Sequence, residues 1–132
     1  MNLFAYGTLM FPEIWRRVVH RDFASAPALL YGYRIGRVRG EHYPAITRAP
    51  SFCRVRGIIY FDLDEQAQVR LDAYESDFYD RIRVRATQDN GVEIECDAYV
   101  LASSEADSHL EGPWRPEWFE RESLEDYLHR LE

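Results

Sequence analysis

Lysine is absent from this 132-residue chain, and sixteen arginines supply its basic side chains. That absence excludes three kinds of chemistry at once: a Walker A phosphate loop, a Schiff base with pyridoxal phosphate, and a kinase-type amine on nucleotide phosphates. Cysteine is scarce. Cys53 and Cys96 stand alone in strand-like runs and read as small buried hydrophobes before they read as a disulfide or a reactive thiol. His20, His42, His109 and His129 include no i, i+4 pair and no cysteine in zinc spacing, so no metal is expected. No Gly-x-Ser-x-Gly elbow accompanies the serines, and covalent catalysis is unsupported. No apolar run approaches the roughly 20 residues that cross a bilayer, so no membrane association is expected. The first residues carry no basic stretch, long apolar core and small-residue cleavage site, which makes the cytoplasm the expected location.

What is present is acid. Twenty-three carboxylates against sixteen arginines give a net charge of −7, which argues against a nucleic-acid partner, because that affinity rests on neutralising phosphates. Apolar residues at 46% with charged residues at 30% describe a globular chain, and neither a repeat nor a linker divides it, so residues 1–132 read as one domain.

The elements follow from local pattern. Asn2 to Tyr6 suits a buried strand, and Pro12 to His20 places Pro at a helix start with Ile14, Trp15, Val18 and Val19 at helical spacing. Ala28 to Val38 reads as a strand interrupted by Gly32 and Gly36, and Phe52 to Leu63 as a long strand containing Gly57. Asp64 can cap a helix over Glu65 to Tyr74 with Ala67, Leu71 and Tyr74 on its inner face and Arg70 and Asp72 turned out. Pro116 to Leu131 reads as a terminal helix. The aromatic tail around Trp114 and Trp118 either covers the fold or meets a second subunit, and the sequence fixes no oligomeric state.

Arg81 to Arg85 and Val92 to Ala98 alternate strictly, as half-buried strands do. A two-residue turn centred on Asn90-Gly91 would set Arg85 opposite Cys96 and mix the faces. A three-residue loop with Gly91 left-handed instead sets Arg85 opposite Glu95 and Arg83 opposite Asp97. These arginines therefore form an exposed ladder of ion pairs, each contributing about 0.2 to 1 kcal/mol, and bind no substrate anion.

One stretch resists a purely structural reading. Tyr6-Gly7-Thr8-Leu9 lies between a strand end and a helix, where a glycine either ends the strand in a simple turn or aims consecutive backbone N–H groups outward as an anion site. With it go "FAYGTLMFPEIW", "YPAI" at Tyr43 to Ile46, "VRGIIYFDL" at Val55 to Leu63, "RLDAYESDFYDRIRV" at Arg70 to Val84, "AYV" at Ala98 to Val100 and "GPWRPEWF" near the end. In content and order these blocks resemble the γ-glutamylcyclotransferase-like family, in its branch of γ-glutamylamine cyclotransferases and plant proteins induced by avirulence signals. The resemblance implies an α+β fold, a small β-barrel of mixed strands with surrounding helices. It makes Tyr6, Gly7, Thr8 and Leu9 the substrate-binding loop and Glu75 the proton acceptor. Two positions depart from the usual pattern: Ser76 stands where such proteins often carry Gly, and Tyr74 where they often carry Phe.

The implied reaction is the attack of a γ-glutamyl α-amine on its own γ-carbonyl, releasing 5-oxoproline and an amine, with no cofactor and a small γ-glutamyl molecule as the only partner. Tyr79 is either an aromatic wall of the pocket or strand-start packing. The alternative is a binding protein on the same scaffold that holds a γ-glutamyl or similar acidic metabolite without turning it over. Glu75 favours the enzyme, since a buried carboxylate adds nothing to the binding of an anion.

Overall fold

Strand β1 (Leu3–Ala5) runs into a short 3-10 turn (Thr8–Met10) and then helix α1 (Pro12–Val19), the expected strand, loop and helix. Next come β2 (Ser25–Tyr31), β3 (Tyr33–Arg37), β4 (Pro44–Arg48), β5 (Arg54–Tyr60), α2 (Glu65–Glu75), β6 (Asp80–Gln88), β7 (Glu93–Val100), α3 (Pro116–Glu122) and α4 (Leu124–Arg130). The computed structural model describes residues 1–101 and 106–131. Strands β1, β5, β2, β6 and β7 close, in that order, into a barrel, while β3 and β4 pair as a separate ribbon. The fold is α+β and its barrel is mixed: β1 meets β7 in parallel, with Leu3 opposite Asp97, and the other neighbours are antiparallel.

Alternation along β1 divides the molecule into two cores. Phe4 and Tyr6 point into the barrel with Leu30, Ile59, Val84 and Cys96. Leu3 and Ala5 point the other way, into a layer built by α1, α2 and the C-terminal segment around Trp15, Leu71, Trp114 and Phe119. The helices therefore gather on the β1 flank of the barrel. No helix among the described residues is long and apolar enough to cross a membrane.

The β6–β7 hairpin has the register its charges require, with Arg83 opposite Asp97 and Arg85 opposite Glu95, and Gly91 is left-handed at φ +85. The ladder itself differs from expectation. Arg85 pairs diagonally with Glu93 at 3.8 Å, and Arg81 is no exposed rung: its guanidinium bridges Asp97 at 3.0 Å and Asp72 of α2 at 3.1 Å. Asp64 caps α2 as expected, accepting from the Ala67 amide at 2.9 Å. Arg70 and Asp72, expected to face solvent, are tied down. Arg70 donates to the Val19 carbonyl at the end of α1, and Asp72 holds Arg81 and the Tyr99 hydroxyl, because α2 lies against both α1 and the outer face of β6 and β7.

Three further expectations are corrected. The run from Ala28 to Val38 is two strands in two sheets, because Gly32 turns at φ +82 and sends β3 away from the barrel. The terminal helix is two helices, broken at Ser123, whose buried hydroxyl bonds to the His42 ring. Cys96 is buried in β7, but Cys53 lies in the turn before β5 and is half-exposed. The aromatic tail covers its own chain: Trp114 is buried, donating its indole N–H to the His42 carbonyl at 2.8 Å, and Trp118 meets the His42 ring edge-on.

Gly57 makes closure possible. A Cβ there would stand 2.4 Å from the Ala5 carbonyl oxygen and 2.6 Å from the Phe4 ring, inside the contact between β1 and β5. Backbone in mid-barrel has little room to retreat, so Gly57→Ala is expected to lose about 3 kcal/mol, near the upper end for overpacked sites. Thermal unfolding checks this, with a fall in Tm of roughly 10 °C as the expected reading.

Candidate active site

The chain leaves β1 at Ala5, and Tyr6, Gly7, Thr8 and Leu9 then line a cavity of about 180 Å³ between the end of the barrel and the helical layer. The 3-10 turn explains their arrangement. Met10 donates to the Gly7 carbonyl at 3.0 Å and Phe11 to the Thr8 carbonyl at 3.1 Å, so the amides of Thr8 and Leu9 begin the turn without an acceptor inside it. Tyr60, stacked on Trp15 at 3.7 Å, donates its hydroxyl to the Leu9 carbonyl at 2.9 Å and pins the turn to the core. Gly7 does not need a left-handed backbone, since its φ is −122. What it provides is space: a Cβ would stand 2.7 Å from the ring of Pro44, which closes the cavity from the β3–β4 ribbon.

Glu75, the last residue of α2, reaches the same cavity. It keeps part of its surface accessible, as a cavity-lining residue does. Burial nevertheless pushes its carboxyl group up to about 8 from an ordinary 4.5. The cause is desolvation without compensation: among the described residues Glu75 has no hydrogen-bond or ion-pair partner and is the one charged side chain lining the cavity. The turn that aims it is strained. Ser76 adopts φ +61, ψ −170, a region left almost wholly to glycine, and this is one of the two positions departing from the family pattern.

The other lining groups are mainly hydroxyls. Tyr6, Tyr43, Tyr74, Tyr79, Tyr99 and Tyr127 surround the cavity, and each is held above the ordinary tyrosine range, first by burial and then by neighbouring negative groups that include Glu75. They stay protonated as neutral donors. Several are already engaged: Tyr6 donates to the Tyr99 carbonyl at 2.6 Å, Tyr79 to the Pro44 carbonyl at 2.7 Å, and Tyr99 to Asp72 at 2.6 Å. The Thr8 and Tyr74 hydroxyls lie 2.7 Å apart, and Tyr74 bonds in turn to Tyr127.

The fold thus brings all five residues singled out in the sequence to one cavity, and Tyr79, immediately before β6, walls it. Tyr43, Tyr99 and Tyr127 were not singled out. Only Tyr99 left a signal in the alternation, as a large aromatic in the outward register of β7 where charges otherwise stand.

These features define a small closed mixed barrel whose first strand opens into a hydroxyl-lined cavity with one carboxylate. Residues 3–116 match the family described as "Gamma-glutamyl cyclotransferase, AIG2-like", and the chain belongs to that family. It is 29% identical over 129 residues to AIG2-like protein D of Arabidopsis thaliana, across 96% of this chain and 84% of that one. The solution structure of another Arabidopsis thaliana protein shares the fold with a TM-score of 0.76 at 24% identity, over 98% of this chain and 87% of that one. A gamma-glutamyl cyclotransferase structure shares it with a TM-score of 0.66 at 20% identity, over 99% and 85%. Membership supports a cyclotransferase function at the level of the family.

Two outcomes follow from this geometry. A folded-state pKa near 8 favours the protonated carboxyl, so the associated stability is complete below pH 4.5 and is lost as pH rises through 8. Unfolding measured across that range should show Glu75→Gln gaining on the unsubstituted protein by a few kcal/mol at pH 8.5 and little at pH 4. Ser76→Gly relieves strain of about 1 to 3 kcal/mol against an unfolded-state entropy cost of about 1, so denaturant titration should find a gain of about 1 kcal/mol.

Proposed function

We propose that the protein is a γ-glutamylcyclotransferase in which Glu75 is the general acid/base and Tyr6, Gly7, Thr8 and Leu9 form the substrate-binding loop. One observation carries the reading: an uncompensated carboxyl group, held near pKa 8, faces the cavity that the loop lines. The α-amine of a γ-glutamyl group has a pKa of roughly 8, so a carboxylate matched to it takes its proton with little thermodynamic penalty, whereas a free glutamate near 4.3 does not.

In the reaction, the freed α-amine attacks the γ-carbonyl carbon and closes a five-membered ring. The tetrahedral oxyanion then collapses, the bond to the departing nitrogen breaks, and Glu75 gives that nitrogen the proton it took; the carboxylate then removes the second proton still on the ring nitrogen and passes it to the released amine, which leaves as its ammonium. The products are 5-oxoproline and an amine. Nucleophile and electrophile share one molecule, so fixing the cyclising conformer gains effective molarities on the order of 10⁵ M and above. The open amides of the turn and the Thr8 hydroxyl hold the α-carboxylate. Beyond the scissile bond the lining offers rings and hydroxyls, with no cation among the described residues to receive a second carboxylate. That inventory favours an amine over an amino acid as leaving group.

The test is 5-oxoproline release from a panel of γ-glutamyl amines and γ-glutamyl amino acids. The expected result is product from at least one amine, a kcat/KM that rises with pH to a plateau above about 8, and a loss of about 10²- to 10⁴-fold in Glu75→Gln. Saturable binding with no product from any substrate would mark a binding protein instead.

A further inference from the structure

We propose that Tyr127 is a positioning residue: its hydroxyl, donating to Tyr74, holds the Thr8 hydroxyl ready to donate into the α-carboxylate of the substrate. This rests on the γ-glutamyl reading above and extends it to helix α4, which lies outside the segment matched to the family.

The argument is a count of protons. Thr8, Tyr74 and Tyr127 form a chain of three hydroxyls joined by two hydrogen bonds, with Tyr74 in the middle. Each hydroxyl has one proton and two lone pairs, so Tyr74 either donates to one neighbour while accepting from the other or accepts from both. Three arrangements exist, with the spare proton on Tyr127, on Tyr74 or on Thr8. Only the last, in which Tyr127 donates to Tyr74 and Tyr74 to Thr8, leaves the Thr8 proton free at the amides of the turn. An anion on that turn selects it, and each donated bond polarises the next. Tyr74 supplies the link that the Phe common at this position lacks. The far end is anchored by packing, because the Tyr127 ring meets Phe119 edge-on at 5.4 Å and Phe119 is fully buried between Phe11 and Trp114. The oxygen is therefore placed by the core, and Tyr127→Phe removes it while keeping the ring contact.

The experiment is calorimetric titration with γ-glutamyl ethylamide in the Glu75→Gln background, where no turnover consumes the probe. Tyr127→Phe should weaken binding about three- to tenfold, in line with one modest hydrogen bond. Thr8→Val should weaken it further, and the double substitution should be no weaker than Thr8→Val within about twofold, since a chain without its outlet transmits nothing. Melting curves establish that each variant is folded. Binding insensitive to Tyr127→Phe, or losses that simply add, overturns the relay while leaving the γ-glutamyl reading intact. No binding by the Glu75→Gln parent overturns both.

Discussion

Three residues govern the architecture, because β1 is buried on both faces. Leu3 and Ala5 belong to the helical layer and Phe4 to the barrel, so the strand can shift by a residue only by exchanging its two faces between unlike cores. Its neighbours fix it further, with β5 antiparallel on one side and β7 parallel on the other. Whatever follows Ala5 emerges where the two cores separate. The gap at that point is the cavity, and the turn from Gly7 onward is its nearest wall because the chain has no other way out. Gly57 and Gly7 serve the same constraint in different places, one admitting β1 against β5 and the other admitting Pro44 against the loop.

Into this gap the end of α2 delivers a carboxyl group with no counter-charge. Desolvation of this kind works against the ionised form, and the fold tolerates it because the protonated form remains available up to about pH 8. The positive φ of Ser76 adds a second local cost at the adjoining residue. Both lie at one spot while the elements on either side obey ordinary rules: Asp64 caps α2, and the β6–β7 register sets Arg83 opposite Asp97, with which it pairs. Backbone strain and unfavourable burial that coincide at one turn facing a cavity are what a functional constraint produces.

How much of this is legible in the sequence depends on the range of the interactions. The strand, turn and helix at the start are local patterns, and the β6–β7 register follows from pairing charges across a single hairpin, Arg85 with Glu95 and Arg83 with Asp97. Tyr6 to Leu9 and Glu75 were identified through the family resemblance, since a single glycine and one carboxylate among twenty-three carry little signal by themselves. What escaped reading was made by contacts between distant segments. Arg81 reads as an exposed rung until α2 brings Asp72 to it, and Arg70 as a solvent-facing side chain until α1 ends beside it. The terminal helix reads as continuous because nothing local announces that Ser123 bonds to His42, 81 residues away. Tyr127 lies in α4, the second of the two helices, and lines the cavity, a place that nothing local in the sequence marks.

That no cation lines the cavity among the described residues acquires a reason once the proposed base is set beside the proposed anion site. An arginine is the obvious ligand for the substrate's α-carboxylate, and it would bind that group more strongly than amides and hydroxyls do. A guanidinium in a cavity this small would also lie close to Glu75. Opposite charge within about 4 to 6 Å lowers a carboxyl pKa by about 1 to 3 units, enough to undo most of the elevation that matches Glu75 to an amine. Neutral donors avoid the conflict, since a buried tyrosine or an N–H group can face an anion without adding a full positive charge beside the base. The proposed binding loop and the proposed base therefore constrain one another: an anion site made of dipoles alone leaves the elevated pKa of Glu75 in place.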